Sequence, residues 1–202
     1  GTDASSVWQD PHLDGDGKVT LFWWTNIYAN SVGALTSSPA YIANRFADDI
    51  ALPCLETPRR LSPDGGGRIR CVIHPPETGD YTFHIAGGAD ATFAIGSNNF
   101  LSSLPAAPTA RLDGPTAFRN WTASPTQTSA AIHLEQGKTY VADILYAAGP
   151  TGDCVSVAWT RPGSADPELI SGAYISPWLN SPARDVSGTA PGVMAMVATG
   201  SF

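Results

Sequence analysis

Between residues 68 and 95 the chain alternates polar and apolar positions in three short runs. Arg68, Ile69, Arg70, Cys71, Val72 and Ile73 form the first, which Pro75, Pro76 and a Thr78-Gly79-Asp80 turn bring to a stop. Tyr81, Thr82, Phe83, His84 and Ile85 resume the alternation with β-branched and aromatic residues. A Gly87-Gly88-Ala89-Asp90 turn then leads into Ala91, Thr92, Phe93, Ala94 and Ile95. A period of two marks a half-buried strand, and Pro and Gly at the breaks are turn chemistry. The pattern predicts three neighbouring antiparallel strands, a β-meander at the centre of the main sheet.

The same reading extends along the chain. Residues 19–28 are apolar and aromatic and predict a strand. Trp23 and Trp24 are adjacent there, so they face opposite ways, one into the core and one near the surface. Residues 29–67 carry Pro39, Pro53, Pro58, Pro63 and three consecutive glycines and read as irregular, with Asp48 and Asp49 as exposed loop charge. Three further strands are expected at 130–134, 139–147 and 154–160, and a short closing strand at 169–175. Between them, residues 97–128 hold four prolines, Phe100, Phe118, Arg119 and Trp121 without sustained periodicity. A loop of that length in a compact domain is functional or poorly ordered.

The expected fold class is therefore all-β, an antiparallel sandwich or barrel. The division is a polar extension at 1–17, a β domain at 18–178 and a Ser/Ala/Gly-rich tail at 179–202. In the extension, Asp14, Asp16 and Gly17 echo a calcium loop, but His12 and Trp23 stand where acids should close it, so an acidic turn before the first strand is the simpler reading.

Composition narrows the function. Hydrophobic residues are 43% and charged ones 14%, enough for a core but leaving a largely neutral-polar surface. A net charge of -7 without a basic stripe argues against nucleic-acid partners, whose phosphates need clustered Lys and Arg. No apolar run approaches the roughly 18 residues of a membrane helix, so no membrane insertion is expected. The first residues lack the basic and apolar regions of a signal peptide, and the chain reads as a mature or excised piece. Cys54, Cys71 and Cys154 allow one disulfide with a spare thiol or three buried thiols, and the count favours neither.

Catalytic signatures are missing. The sequence has no nucleophile elbow, zinc-protease motif, P-loop or dinucleotide fingerprint. His12, His74, His84 and His133 are scattered, and Glu56, Glu77, Glu135 and Glu168 fall at turns or loops with no reason to pair across a cleft. The expectation is that the chain is not an enzyme.

Arg68-Ile69-Arg70, the Pro75-to-Phe83 run and Ile85-Ala86 resemble the protective-antigen (PA-fourteen) domain family, in its bacterial secreted branch. Leu134-Glu135-x-Gly137-Lys138-x-Tyr140, Gly152-Asp153 with Val155-x-Val157-Ala158-Trp159, and Ile175-Ser176-Pro177 follow in the family's order, and the resemblance spans about residues 19–178. It implies a secreted, lectin-like β-sandwich or barrel that in many members binds carbohydrate through calcium. The family holds that ion with two consecutive aspartates after the Tyr-Thr-Phe strand and an Asp-Asn pair in a later loop. Here Gly88 and Ala89 take the aspartate positions, and Cys154 follows Asp153 in place of the asparagine.

Asp90 and Asp153 are thus the candidate metal ligands of an apparently degraded calcium site. Asp90, Asp153, Trp121, Asn98 and Asn99 are the candidate ligand-binding set. The expected partner is a glycan, an oligo- or polysaccharide stacked on an aromatic ring. The implied role is a non-catalytic carbohydrate-binding or adhesion module of a secreted or cell-surface protein. The alternative is a structural or assembly subunit of an extracellular complex, with a protein partner or self-association through residues 183–202.

Overall fold

The structure, a computed structural model, describes residues 16–27, 31–59, 64–148, 152 and 154–178. Most of the 1–17 extension and all of the 179–202 tail lie outside the described residues, so the expected division of the chain stands as an expectation.

Strand β1 (Val19–Trp24) is followed by two short helices, α1 (Val32–Ser37) and α2 (Pro39–Ile42). Next come β2 (Asp48–Leu52), β3 (Gly66–Ile73), β4 (Gly79–Gly87), β5 (Ala91–Ile95) and β6 (Ala110–Leu112). The chain closes with β7 (Ile132–Leu134), β8 (Tyr140–Ala147), β9 (Val155–Thr160), β10 (Glu168–Leu169) and β11 (Ile175–Pro177). They form two antiparallel sheets. A seven-stranded one runs β2-β1-β3-β8-β5-β6, with β11 also paired to β3, and a four-stranded one runs β10-β9-β4-β7. The all-β sandwich expected from the sequence is what the chain forms.

The three runs of residues 68–95 are strands, but they are not neighbours. β3 and β5 flank β8 in the large sheet, with Ile69 opposite Ile144 and Phe93 opposite the same residue from the other side. β4 lies in the small sheet between β9 and β7. The expected meander does not form, for a physical reason. Alternation tells which side chains face the core, not which sheet a strand joins, and both sheets bury one face on the same core. Across it, Phe83 of β4 meets Phe93 of β5 with ring centroids 4.9 Å apart, while Tyr81 packs on Trp159 within the small sheet at 5.1 Å. All four side chains are fully buried.

Residues 29–67 hold more order than their prolines advertise. Ser31 caps α1 by accepting Ala34 N at 3.2 Å, and Ser38 caps α2 by accepting Tyr41 N at 3.2 Å, with Pro39 in its first turn. The helices cover the outer face of β1, where Trp24 is buried against Tyr41 (4.9 Å between rings) and Phe22 against Phe46 (4.8 Å). Trp23, one residue away, is only partly buried, as alternation requires. Asp48 and Asp49 are exposed, but on edge strand β2 rather than in a loop. On the same outer face, Asp143 receives both Arg68 (Nε to Oδ1, 2.8 Å) and Arg70 (Nε to Oδ1, 3.1 Å). All three cysteines are thiols, and burial pushes the Cys71 thiol far above its ordinary range.

Candidate functional site

Three segments converge where β4 ends. Thr116 N donates to Gly87 O at 2.8 Å and Gly87 N donates to the Thr116 hydroxyl at 3.1 Å, which lays the long 97–128 loop across the β4–β5 turn. On the other side Gly88 N donates to Cys154 O at 2.8 Å. The turn and the loop before β9 are in backbone contact. A Cβ on Gly88 would sit 2.7 Å from Gly152 C and 2.9 Å from its Cα and O, so only glycine fits there.

The acid of this turn is engaged elsewhere. Asp90 Oδ2 accepts Val32 N, the first residue of α1, at 2.8 Å, and Asp90 O accepts Ala147 N at 2.9 Å. Asp90 therefore ties the turn to the helical cover. Asp153 lies outside the described residues.

The other expected residues divide between the two ends of the sandwich. Asn120 O and Ile85 O both accept the buried Gln127 Nε2, at 2.7 and 2.8 Å, which holds partly buried Trp121 on the side of β4 near the Gly87 turn. Asn98 and Asn99 are exposed beyond the far end of β5, where Asn98 O accepts Val141 N at 2.8 Å. A strand advances about 3.3 Å per residue, so the length of β5 separates them from Asp90. Trp121 and Asp90 share an end; Asn98 and Asn99 do not join them. That far end also holds a cavity of about 400 Å³ lined by His74, Pro75, Gln136 and Tyr174.

Residues with no local pattern to pair them complete the Gly87 end. Residues 54–57 run beside β9, with Val157 N donating to Leu55 O at 2.8 Å and Thr57 N to Val155 O at 3.0 Å. This sets Glu56 next to Ser156, whose hydroxyl donates to Oε2 at 2.9 Å. Arg119 closes on the same carboxylate with two bonds, Nε at 2.7 Å and Nη2 at 2.8 Å, and adopts a left-handed φ of 53°. The paired Arg119 guanidinium holds the Glu56 carboxyl below its ordinary range. Beside them Phe118 is 41% exposed, with the Arg59 guanidinium 4.8 Å and that of Arg119 5.1 Å from its ring centre. Phe118, Arg119 and Glu56 are each visible in the sequence, but their association exists only in the fold.

A family model of the PA14 domain matches residues 67–172. The chain belongs to the PA14 domain family. Solved structures agree in fold. The Epithelial Adhesin 9 A domain of Candida glabrata, in complex with Galb1-4GlcNAc, superposes with a TM-score of 0.57 at 13% identity over 88% of this chain and 94% of its own. A PA14 sugar-binding domain from an RTX adhesin gives 0.56 at 11% identity over 80% and 99%. The PA14 domain of the MpAFP antifreeze protein gives 0.54 at 17% over 80% and 90%. No curated protein matches the chain. At these identities the likeness is one of fold.

Among the described residues, the turn after β4 brings few oxygen ligands to a calcium ion. The ion takes six to eight oxygens. Position 88 has no room for a side chain, Ala89 is buried, and the Asp90 carboxylate already accepts a helix N–H. Cys154 brings a soft sulfur to the later loop. Among the described residues no three of His, Cys, Asp and Glu come together to hold a metal.

Proposed function

We propose that this PA14 domain is a non-catalytic carbohydrate-binding and adhesion module of a secreted or cell-surface protein, and that it engages its glycan without calcium. The observation that carries the reading is the pair of aromatic rings at the Gly87 end. Trp121 and Phe118 lie on one loop folded over the turn where the family's sugar site belongs. Sugar rings stack their C–H faces on such planes, while side-chain oxygens and amides take the hydroxyls. Asp153, adjoining Gly152 in sequence, is the acid to test for hydroxyl contact.

The carboxylates support a non-catalytic role. Glu56 pairs with Arg119, Glu135 with Lys138, Glu168 with Arg161, Asp143 with Arg68 and Arg70, and Asp80 with His133. None of these pairs leaves two acids facing each other across a cleft, as glycoside hydrolysis requires. Among the described residues no helix is long and apolar enough to cross a membrane.

The test is a glycan array probed with calcium and again with chelator. Binding that survives chelation and disappears in Trp121→Ala is the expected result. Binding abolished by chelator overturns the calcium-free mechanism. Silence under both conditions overturns sugar binding and favours the assembly alternative, which predicts that deleting residues 183–202 lowers the oligomeric mass.

A further inference from the structure

We infer that the ligand of this face carries a carboxylate, an acidic (uronic-acid) glycan, and that Arg59 and Phe118 form the subsite that reads it. The inference rests on the carbohydrate-binding reading above and adds the class of sugar.

Two guanidiniums stand over one partly exposed phenyl ring, in a chain with only 11 Lys and Arg against 18 Asp and Glu. Their situations differ. Arg119 turns its Nε and Nη2 edge onto both oxygens of Glu56, and Ser156 also donates to that carboxylate. Among the described residues Arg59 makes no ion pair or hydrogen bond; the Phe118 ring is its only contact of note. Arg59 and Arg119 share the field of the single Glu56 carboxylate, so among the described residues this cluster has two guanidiniums to one carboxylate, on a chain whose net charge is -7.

Geometry makes this more than a stray surface cation. The Glu56–Arg119 pair ties down the segment that carries Phe118, with Arg119 itself in the left-handed region at φ 53°. The ring is therefore presented in a fixed pose rather than on a free loop. Stacking on Phe118 holds the Arg59 guanidinium near the ring, with its N–H edges left to donate. A planar fork of donors matches a planar carboxylate, which it can take through two parallel bonds. A sugar packed against the exposed edge of Phe118 would place an exocyclic carboxylate beside that fork. The site then supplies from a side chain the positive charge that calcium gives elsewhere in the family.

The probes are an oligogalacturonate and its fully methyl-esterified form, titrated calorimetrically against the intact chain in calcium-free buffer. They share a backbone and differ only in charge. A charge-assisted hydrogen bond predicts a preference of about tenfold for the acid, shrinking as salt rises. Arg59→Gln should abolish the preference while leaving the weaker ester binding intact, and Arg59→Lys should restore only part of it. Phe118→Ala should weaken both ligands. If acid and ester bind equally, the inference fails and the carbohydrate reading stands. The inference also fails if neither binds while neutral glycans score on the array. Silence from every glycan removes both readings together.

Discussion

Gly88 packs backbone to backbone on Gly152, so closely that a side chain at 88 would overlap the Gly152 carbonyl carbon at 2.7 Å. Replacing Gly88 by Asp should therefore not rebuild a calcium site. The expected outcome is a loss of about 1–3 kcal/mol from overpacking, read as a lower Tm, with no recovery on adding calcium. Calcium-dependent stabilisation of Gly88→Asp would show that the two loops separate readily and that the closed contact is not a constraint.

Asp90 works as a helix cap delivered from another part of the chain. Asp90→Ala removes the acceptor of Val32 N and should cost about 1 kcal/mol. Asp90→Asn keeps an acceptor oxygen and should cost less. Denaturant melts of the two variants, with and without chelator, check this; a chelator effect on the parent protein would assign Asp90 to a metal instead.

Arg119 combines backbone strain with a partly exposed ion pair. Arg119→Ala loses the pair and keeps the strain, whereas Arg119→Gly loses the pair and relieves it. Glycine should be the milder variant by about 1 kcal/mol, contrary to the usual order of Ala and Gly. Equal stabilities would mean that the loop relaxes out of the left-handed region once Glu56 is released.

His84 is buried between the hydroxyls of Thr128 (3.2 Å) and Thr160 (2.9 Å), and burial lowers its pKa below the ordinary 6.5. The folded state then binds fewer protons than the unfolded one beneath that value. Its contribution to stability is complete above about pH 6.5 and is lost as pH falls toward the depressed folded value. His84→Gln should flatten the stability profile between pH 7 and 5, as followed by denaturant midpoints at each pH. An unchanged slope would assign the acid sensitivity to carboxylates such as Glu56.

Side-chain facing was legible in the sequence, and sheet membership was not. Ile69, Phe83 and Phe93 are all predicted inward by alternation and all are buried. Yet Phe83 sits opposite Phe93 rather than beside it, because the chain changes sheet at Pro75-Pro76 and changes back at the turn between Gly87 and Ala91. The caps of α1 and α2, Ser31 and Ser38-Pro39, are recognisable signals, but helices this short have too little periodicity to stand out from a Pro-rich stretch. Strand β6 has three residues and the same difficulty. At the candidate site, the lack of a carboxylate at Gly88 and Ala89 is plain in the sequence. The Glu56–Arg119 pair is not, because long-range contact between two isolated charges leaves no local pattern.

Strand β3 also sets the tempo at which the domain can form. Its partners are β1, far upstream, β8, far downstream, and β11, the last strand described. Few of its contacts are local, so each pairing must first close a long loop, and chains of such high contact order fold slowly. A ribosome releasing this chain from its N-terminus would expose β1 and β3 with their flank open until Ile175–Pro177 emerged. On this topology the domain should complete its main sheet only when nearly all of it is present, and so fold as one unit.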